Sequence, residues 1–138
     1  MINLYIFSNK SRGGLYGVGT YIRELITALR SKSNSIHIHV VHILCDQLQI
    51  EKKEVKDVSY WYFPEPISKE WNLLDQEQRK VYSRNIVYLL RNYIQDQKNL
   101  VFHLNSYRDK SLALELKIAF DCKVITVTHF SEWLFMIT

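Results

Sequence analysis

Apolar and polar positions along the chain switch between two periods, and the switches mark out the elements. Ile2 to Phe7 is a short apolar run with the character of a strand. From Val18 to Arg30 the apolar residues Ile22, Leu25, Ile26 and Leu29 fall at i, i+3, i+4 and i+7, the spacing of one buried helix face. The polar run Ser31 to Ser35 stops that helix, and Ile36 to Cys45, rich in β-branched residues, predicts a second strand. The charged stretch Asp46 to Asp57 and the aromatic stretch Val58 to Phe63, closed by Pro64-Glu65-Pro66, predict short strands near a sheet edge. Ile67 to Gln97 contains neither proline nor glycine. Within it Tyr82, Ile86, Leu89, Leu90, Tyr93 and Ile94 recur at helical spacing, which predicts a helix from about Asp75 to Gln97 after a separate turn carrying Trp71. A strand over Leu100 to Leu104, a helix over Ser111 to Phe120 and a strand over Lys123 to Thr128 complete the series. Strands alternating with helices in this order predict an α/β fold: a doubly wound, mainly parallel sheet in three αβα layers, with right-handed crossovers.

Length and composition refine that picture only slightly. With 138 residues, 47% of them hydrophobic, and no internal repeat, residues 1–138 read as a single domain large enough to own a core. The formal charge of +4 arises from 18 basic and 14 acidic residues, a mixed surface that argues against a nucleic-acid partner. A phosphate group or a peripheral contact with an anionic membrane face suits it better. Cys45 and Cys122 lack metal-ligand spacing and read as small apolar residues near strand ends. No signal-peptide pattern opens the sequence and no apolar stretch is long enough to span a bilayer, so the expected location is cytoplasmic.

All four glycines, Gly13, Gly14, Gly17 and Gly19, lie between the first strand and the first helix. Glycines permit positive φ and close approach of backbone N–H groups, and a following helix adds partial positive charge at its N-terminus. Together with Arg12 they predict a cleft that receives an anionic group such as phosphate. The spacing does not match a P-loop, because Thr20 and Tyr21 follow Gly19 where Lys and Ser or Thr are needed. It does not match the dinucleotide fingerprint either, since Ile22 stands where the third glycine belongs. A simple strand-to-helix turn without ligand is the competing reading.

Ligands of such sheets collect outside the carboxyl ends of the strands. There the first strand delivers Ser8, Asn9 and Lys10, the strand at 100–104 delivers His103, Asn105, Ser106 and Tyr107, and the last strand delivers His129, Ser131 and Glu132. His129 directly follows an apolar run, which puts its imidazole at the lip of the sheet, where it can hydrogen-bond a sugar or phosphate or serve as acid or base. A histidine bonded to a neighbouring loop is the plainer alternative.

The segments Gly13 to Leu25, Phe102 to Asn105 and Val127 to Trp133 together resemble the N-terminal half of GT-B glycosyltransferases. They are most similar to the family 4 retaining enzymes and, among those, to a Bacteroidetes-like subgroup with a His-Phe-Ser-Asp/Glu-Trp segment. The resemblance implies two facing Rossmann-like domains, of which this chain is the N-terminal, acceptor-side one. It implies that Gly13 and Gly14 lie against the donor diphosphate or the acceptor, and that His129 contacts the transferred sugar. The implied substrates are a nucleotide-sugar donor and a glycan or other acceptor, with no cofactor and no metal. The family's acidic donor-binding motif belongs to the second domain, which is absent from these 138 residues, so the chain alone is expected to transfer no sugar. Asn105 stands where relatives often carry an acidic residue, which argues against a base at that position.

Two other function classes stay open. One is a nucleotide- or NAD-binding Rossmann domain with Asp46 as the ribose-binding acid, and the other is a non-catalytic interaction module. The apolar run Trp133 to Ile137 is compatible with a dimer formed through the chain's end. His37, His39 and His42 are close in sequence, but period two puts the first two on one face and the third on the other. Tyr60, Trp61, Tyr62 and Phe63 have rings able to stack on sugars or bases, but the plainer reading is that alternate members cover the sheet and a helix. The charges between Glu51 and Asp57 and along the long helix read as solvated surface.

Overall fold

A computed structural model describes residues 1–9, 17–32, 34–46, 48–64, 75–95, 97–105 and 110–127. The elements are β1 (Ile2–Asn9), α1 (Gly17–Lys32), β2 (Ile36–Cys45), β3 (Glu51–Val55), β4 (Val58–Pro64), α2 (Gln76–Tyr93), β5 (Leu100–Leu104), α3 (Lys110–Phe120) and β6 (Lys123–Thr126). The six strands form one sheet in the order β3-β4-β2-β1-β5-β6. Every neighbouring pair is parallel except the β3–β4 hairpin, so the expected α/β, doubly wound, mainly parallel sheet is what the chain forms.

Period two divides the side chains of each strand between two cores. Leu4, Ile6, Ile38, Val40 and Val58 meet Ile22 and Ile26 of α1 on one face. Tyr5, Phe7, Val41, Trp61, Phe63, Phe102 and Leu104 meet Ile86, Val87 and Leu90 of α2 and Leu112 and Leu116 of α3 on the other. Burial on both faces explains why β5 carries an apolar run with little alternation.

Boundaries depart from the sequence reading where side chains override pattern. Helix α1 begins at Gly17, so Gly17 and Gly19 belong to its first turn and neither takes positive φ. Helix α2 ends at Tyr93 and not at Gln97, because Ile94 turns to an extended backbone, buries its side chain and donates its N–H to Leu90 O at 2.8 Å. The β3–β4 turn is made by Lys56 and Asp57 at φ 50° and 68°, the left-handed geometry that a two-residue hairpin requires. The segment carrying Trp71, and Thr128 at the end of the expected last strand, lie outside the described residues.

At the other end of α2, Asp75 accepts from Gln78 N at 2.8 Å while the Gln78 side chain accepts from Asp75 N at 3.0 Å, a reciprocal capping box. Asp75→Ala is expected to cost about 1 kcal/mol. Urea denaturation would read this, and an unchanged midpoint would show that the box adds nothing to α2.

Candidate functional site at the carboxyl ends of the strands

Strand order reverses at β1, which has β2 on one side and β5 on the other. The crossover leaving β1 leads to β2 and the one leaving β5 leads to β6, in opposite directions, which leaves a crevice outside the carboxyl ends of β1 and β5. The two sides of that crevice are joined by Asn105, just past β5: its Nδ2 donates to Phe7 O at 3.0 Å, and the residue is almost fully buried. Asn105 thus ties the end of β5 to the backbone of β1. Ser8, one residue further along β1, is buried at the same rim.

His103 points to the α1 side of β5, where its ring stacks on Tyr21 at 6.0 Å and Nε2 lies 3.4 Å from the Tyr21 hydroxyl. It is a buried brace between α1 and the sheet, set one residue behind the rim. The first turn of α1 holds no acidic residue, which leaves the positive end of its dipole without a counter-charge from its own side chains. On the far side of β5, Val127 N donates to Leu104 O at 2.8 Å, which holds Val127 beside the same rim. Arg12, Gly13, Gly14, His129 and Glu132 lie outside the described residues, as do Lys10, Ser106, Tyr107 and Ser131. Of the expected site residues, the described ones are therefore Gly17, Gly19, His103 and Asn105.

The structure also shows features at this rim that the sequence reading missed. Between His42 and Cys45 the β2–β4 register shifts, and Leu44 takes φ 60°, left-handed geometry in a non-glycine residue. The Tyr82 hydroxyl holds this bulge by accepting from Leu44 N at 3.1 Å and donating to Pro64 O at 2.7 Å. A tyrosine on the inward stripe of α2 was the available signal, since a buried phenol needs a polar partner.

At the opposite end of the strands, His39 is buried between Tyr5, stacked at 4.1 Å, and His37, at 4.2 Å. Its Nδ1 accepts from Trp61 Nε1 at 3.2 Å. Burial above all, then the charges of His37 and Lys52, push its pKa down to about 3, so the ring is neutral. His37 Nε2 lies 3.2 Å from Ser59 Oγ, which in turn donates to Glu54 at 3.3 Å. Two open grooves of about 580 and 570 Å³ also lie at this amino-terminal rim, the first lined by Arg30, His37, Glu54 and Asp57. Opposed charges crowd the first, and among the described residues no helix N-terminus converges there, so the chemistry favours the carboxyl rim in spite of the volume. Among the described residues no group of His, Cys, Asp and Glu is arranged to hold a metal ion, and no helix is long and apolar enough to cross a membrane.

Comparison with known proteins gives no matching family model and no matching curated protein. Solved structures do match. The OtsA apo structure aligns with a TM-score of 0.58 at 11% identity, over 94% of this chain and 33% of that one. A structure of trehalose-6-phosphate from E. coli bound with UDP-2-fluoro glucose aligns with a TM-score of 0.59 at 12% identity, over 90% and 32%. At these identities the likeness is one of fold, a Rossmann-like, mainly parallel sheet with helices on both faces. This chain spans about a third of the length of the solved structures it matches.

Proposed function

We propose that the chain is the N-terminal, acceptor-side lobe of a retaining glycosyltransferase of the family 4 type, inactive without a donor-binding lobe. The observation that carries this reading is the crevice at the reversal of strand order, where the ends of β1 and β5 are tied by Asn105 and the positive end of α1 has no acidic residue in its first turn. The fold likeness to a protein bound to a nucleotide-sugar analogue supports it.

In this reading the glycine segment, with Gly13, Gly14 and Arg12, lies along the cleft toward the donor diphosphate, and His129 contacts the sugar being transferred. The acceptor hydroxyl oxygen forms the new bond to the anomeric carbon as the bond to the nucleoside diphosphate breaks, and the hydroxyl proton passes to the leaving diphosphate. The leaving diphosphate gathers negative charge, and preorganised N–H donors at a helix start stabilise it most when a second lobe excludes water. The nucleotide-sugar is a substrate, so no cofactor is invoked.

The test is release of nucleoside diphosphate from a panel of nucleotide-sugars by a polypeptide in which a donor-binding lobe follows this one. His129→Ala there is expected to lower turnover by about 100-fold or more. Unaltered turnover would remove His129 from the site, and saturable NAD binding with no response to nucleoside diphosphates would replace the reading altogether.

A further inference from the structure

The α1 face of the sheet changes character toward the crevice. Low on that face, Ile38, Val40 and Val58 are aliphatic and buried against α1, as a helix-covered parallel sheet demands. Nearer the carboxyl ends the register aligns Ser8 of β1 with His42 of β2, His42 with Tyr62 of β4, and Tyr62 with Glu51 of β3. Tyr60 and Lys53 form the next pair down on the same two outer strands. A polar and aromatic row therefore runs from the crevice to the sheet edge where aliphatic residues would pack better.

The rings in this row are arranged as a surface. His42 stacks on Tyr62 at 5.0 Å with an interplanar angle of 18° and on Tyr60 at 6.4 Å and 8°; all three are half-buried, and Tyr60 also packs against the α1-side core. Lys53 Nζ lies 5.7 Å from the Tyr62 ring centre. Burial lowers the pKa of His42, which keeps its ring uncharged near neutrality.

We infer that the His42, Tyr60 and Tyr62 face is a glycan-binding subsite that holds a neutral pyranose unit of the acceptor. A pyranose presents a C–H face that lies flat on aromatic rings and a rim of hydroxyls that needs both acceptors and donors. Glu51 and Lys53 supply one of each beside the rings. A nucleotide would bring phosphate toward the Glu51 carboxylate, which is why the row suits a neutral sugar better. That the sugar belongs to an acceptor rests on the transferase reading; the stacking surface does not.

The experiment follows backbone and aromatic NMR resonances of this chain during titration with cellohexaose, with maltohexaose and with UDP. At least one hexasaccharide is expected to shift the ring signals of His42, Tyr60 and Tyr62. Tyr62→Ala and Tyr62→Leu are each expected to weaken that binding about tenfold or more, while Tyr62→Phe stays within about twofold. The leucine variant keeps an apolar side chain at the position, and its own amide spectrum reports whether the fold persists. Tyr88→Ala, at an exposed position on α2, serves as the neutral control. Ring signals unmoved by both sugars, Tyr62→Leu binding like the native chain, or ring shifts with UDP alone would each overturn the subsite. Such a failure leaves the diphosphate-release test untouched; conversely, sugar binding here without any transfer by the two-lobed polypeptide would keep the subsite and sink the transferase reading.

Discussion

Phe102→Ala is expected to destabilise the domain by about 3–5 kcal/mol, a large share of the roughly 5–15 kcal/mol available to a domain of this kind. Phe102 is fully buried in the middle of β5 and touches the rings of Tyr5 at 5.5 Å, Phe7 at 6.0 Å and Phe120 at 5.3 Å. It thereby joins the central strand to α3, and no single neighbour can collapse into the space its ring would leave. Phe102→Leu keeps most of the volume and is expected to cost about 1.5 kcal/mol or less. The damage should extend to the crevice, because β5 also carries Leu104, which accepts from Val127 N, and leads into Asn105. Urea denaturation gives the energies, and faster amide exchange at Val127 would report the loosened rim. A loss below about 1 kcal/mol for the alanine variant would mean that β5 is not packed between β1 and α3 as described.

Acidification is expected to weaken the fold well before the carboxylates titrate. The His39 pKa is about 3 in the folded chain against an ordinary value of 6.5, so between those limits the unfolded chain binds more protons than the folded one. Stability from this group is complete above pH 6.5 and falls as pH drops, by about 2 kcal/mol at pH 5 and about 3 kcal/mol at pH 4. His42, lowered by burial, adds to the loss with the same sign. His39→Phe should flatten most of this dependence while costing about 1–2 kcal/mol at pH 7, because the Trp61 indole N–H loses its acceptor. Thermal melts at pH 7, 6 and 5 would show it. An equally steep decline in the phenylalanine variant would assign the acid sensitivity to other groups.

How far the sequence could be read depended on whether a side chain or the backbone pattern set the outcome. The strand at Ile36–Cys45 was legible to the residue, since β-branched runs buried on both faces leave no alternative. The hairpin turn was not, because Lys56 and Asp57 adopt left-handed backbone without the glycine or asparagine that usually signals it. The end of α2 was also hidden. Ile94 continues the helical spacing, yet it leaves the helix to enter the core, a choice fixed by its distant neighbours. For the candidate site, parity alone placed His37 and His39 opposite His42, and strand order alone brought the end of β1 beside that of β5. What parity could not supply was contact. That Asn105 reaches the carbonyl of Phe7, or that Tyr82 steadies a bulge at Leu44, depends on how three elements pack and on hydrogen bonds far apart in sequence.

The position of β1 at the centre of the sheet also governs the order of assembly. Its pairing with β2 closes a short loop, but its pairing with β5 joins Asn3 to Leu100 across most of the chain. Loop-closure entropy rises with that separation, so the long-range pairing is the slower event. On the ribosome, the first four strands can register while one flank of β1 still offers bare amides and carbonyls to solvent. Only when Leu104 has emerged can that flank be sealed, which makes the nascent chain most vulnerable to mispairing in the interval while α2 is being synthesised.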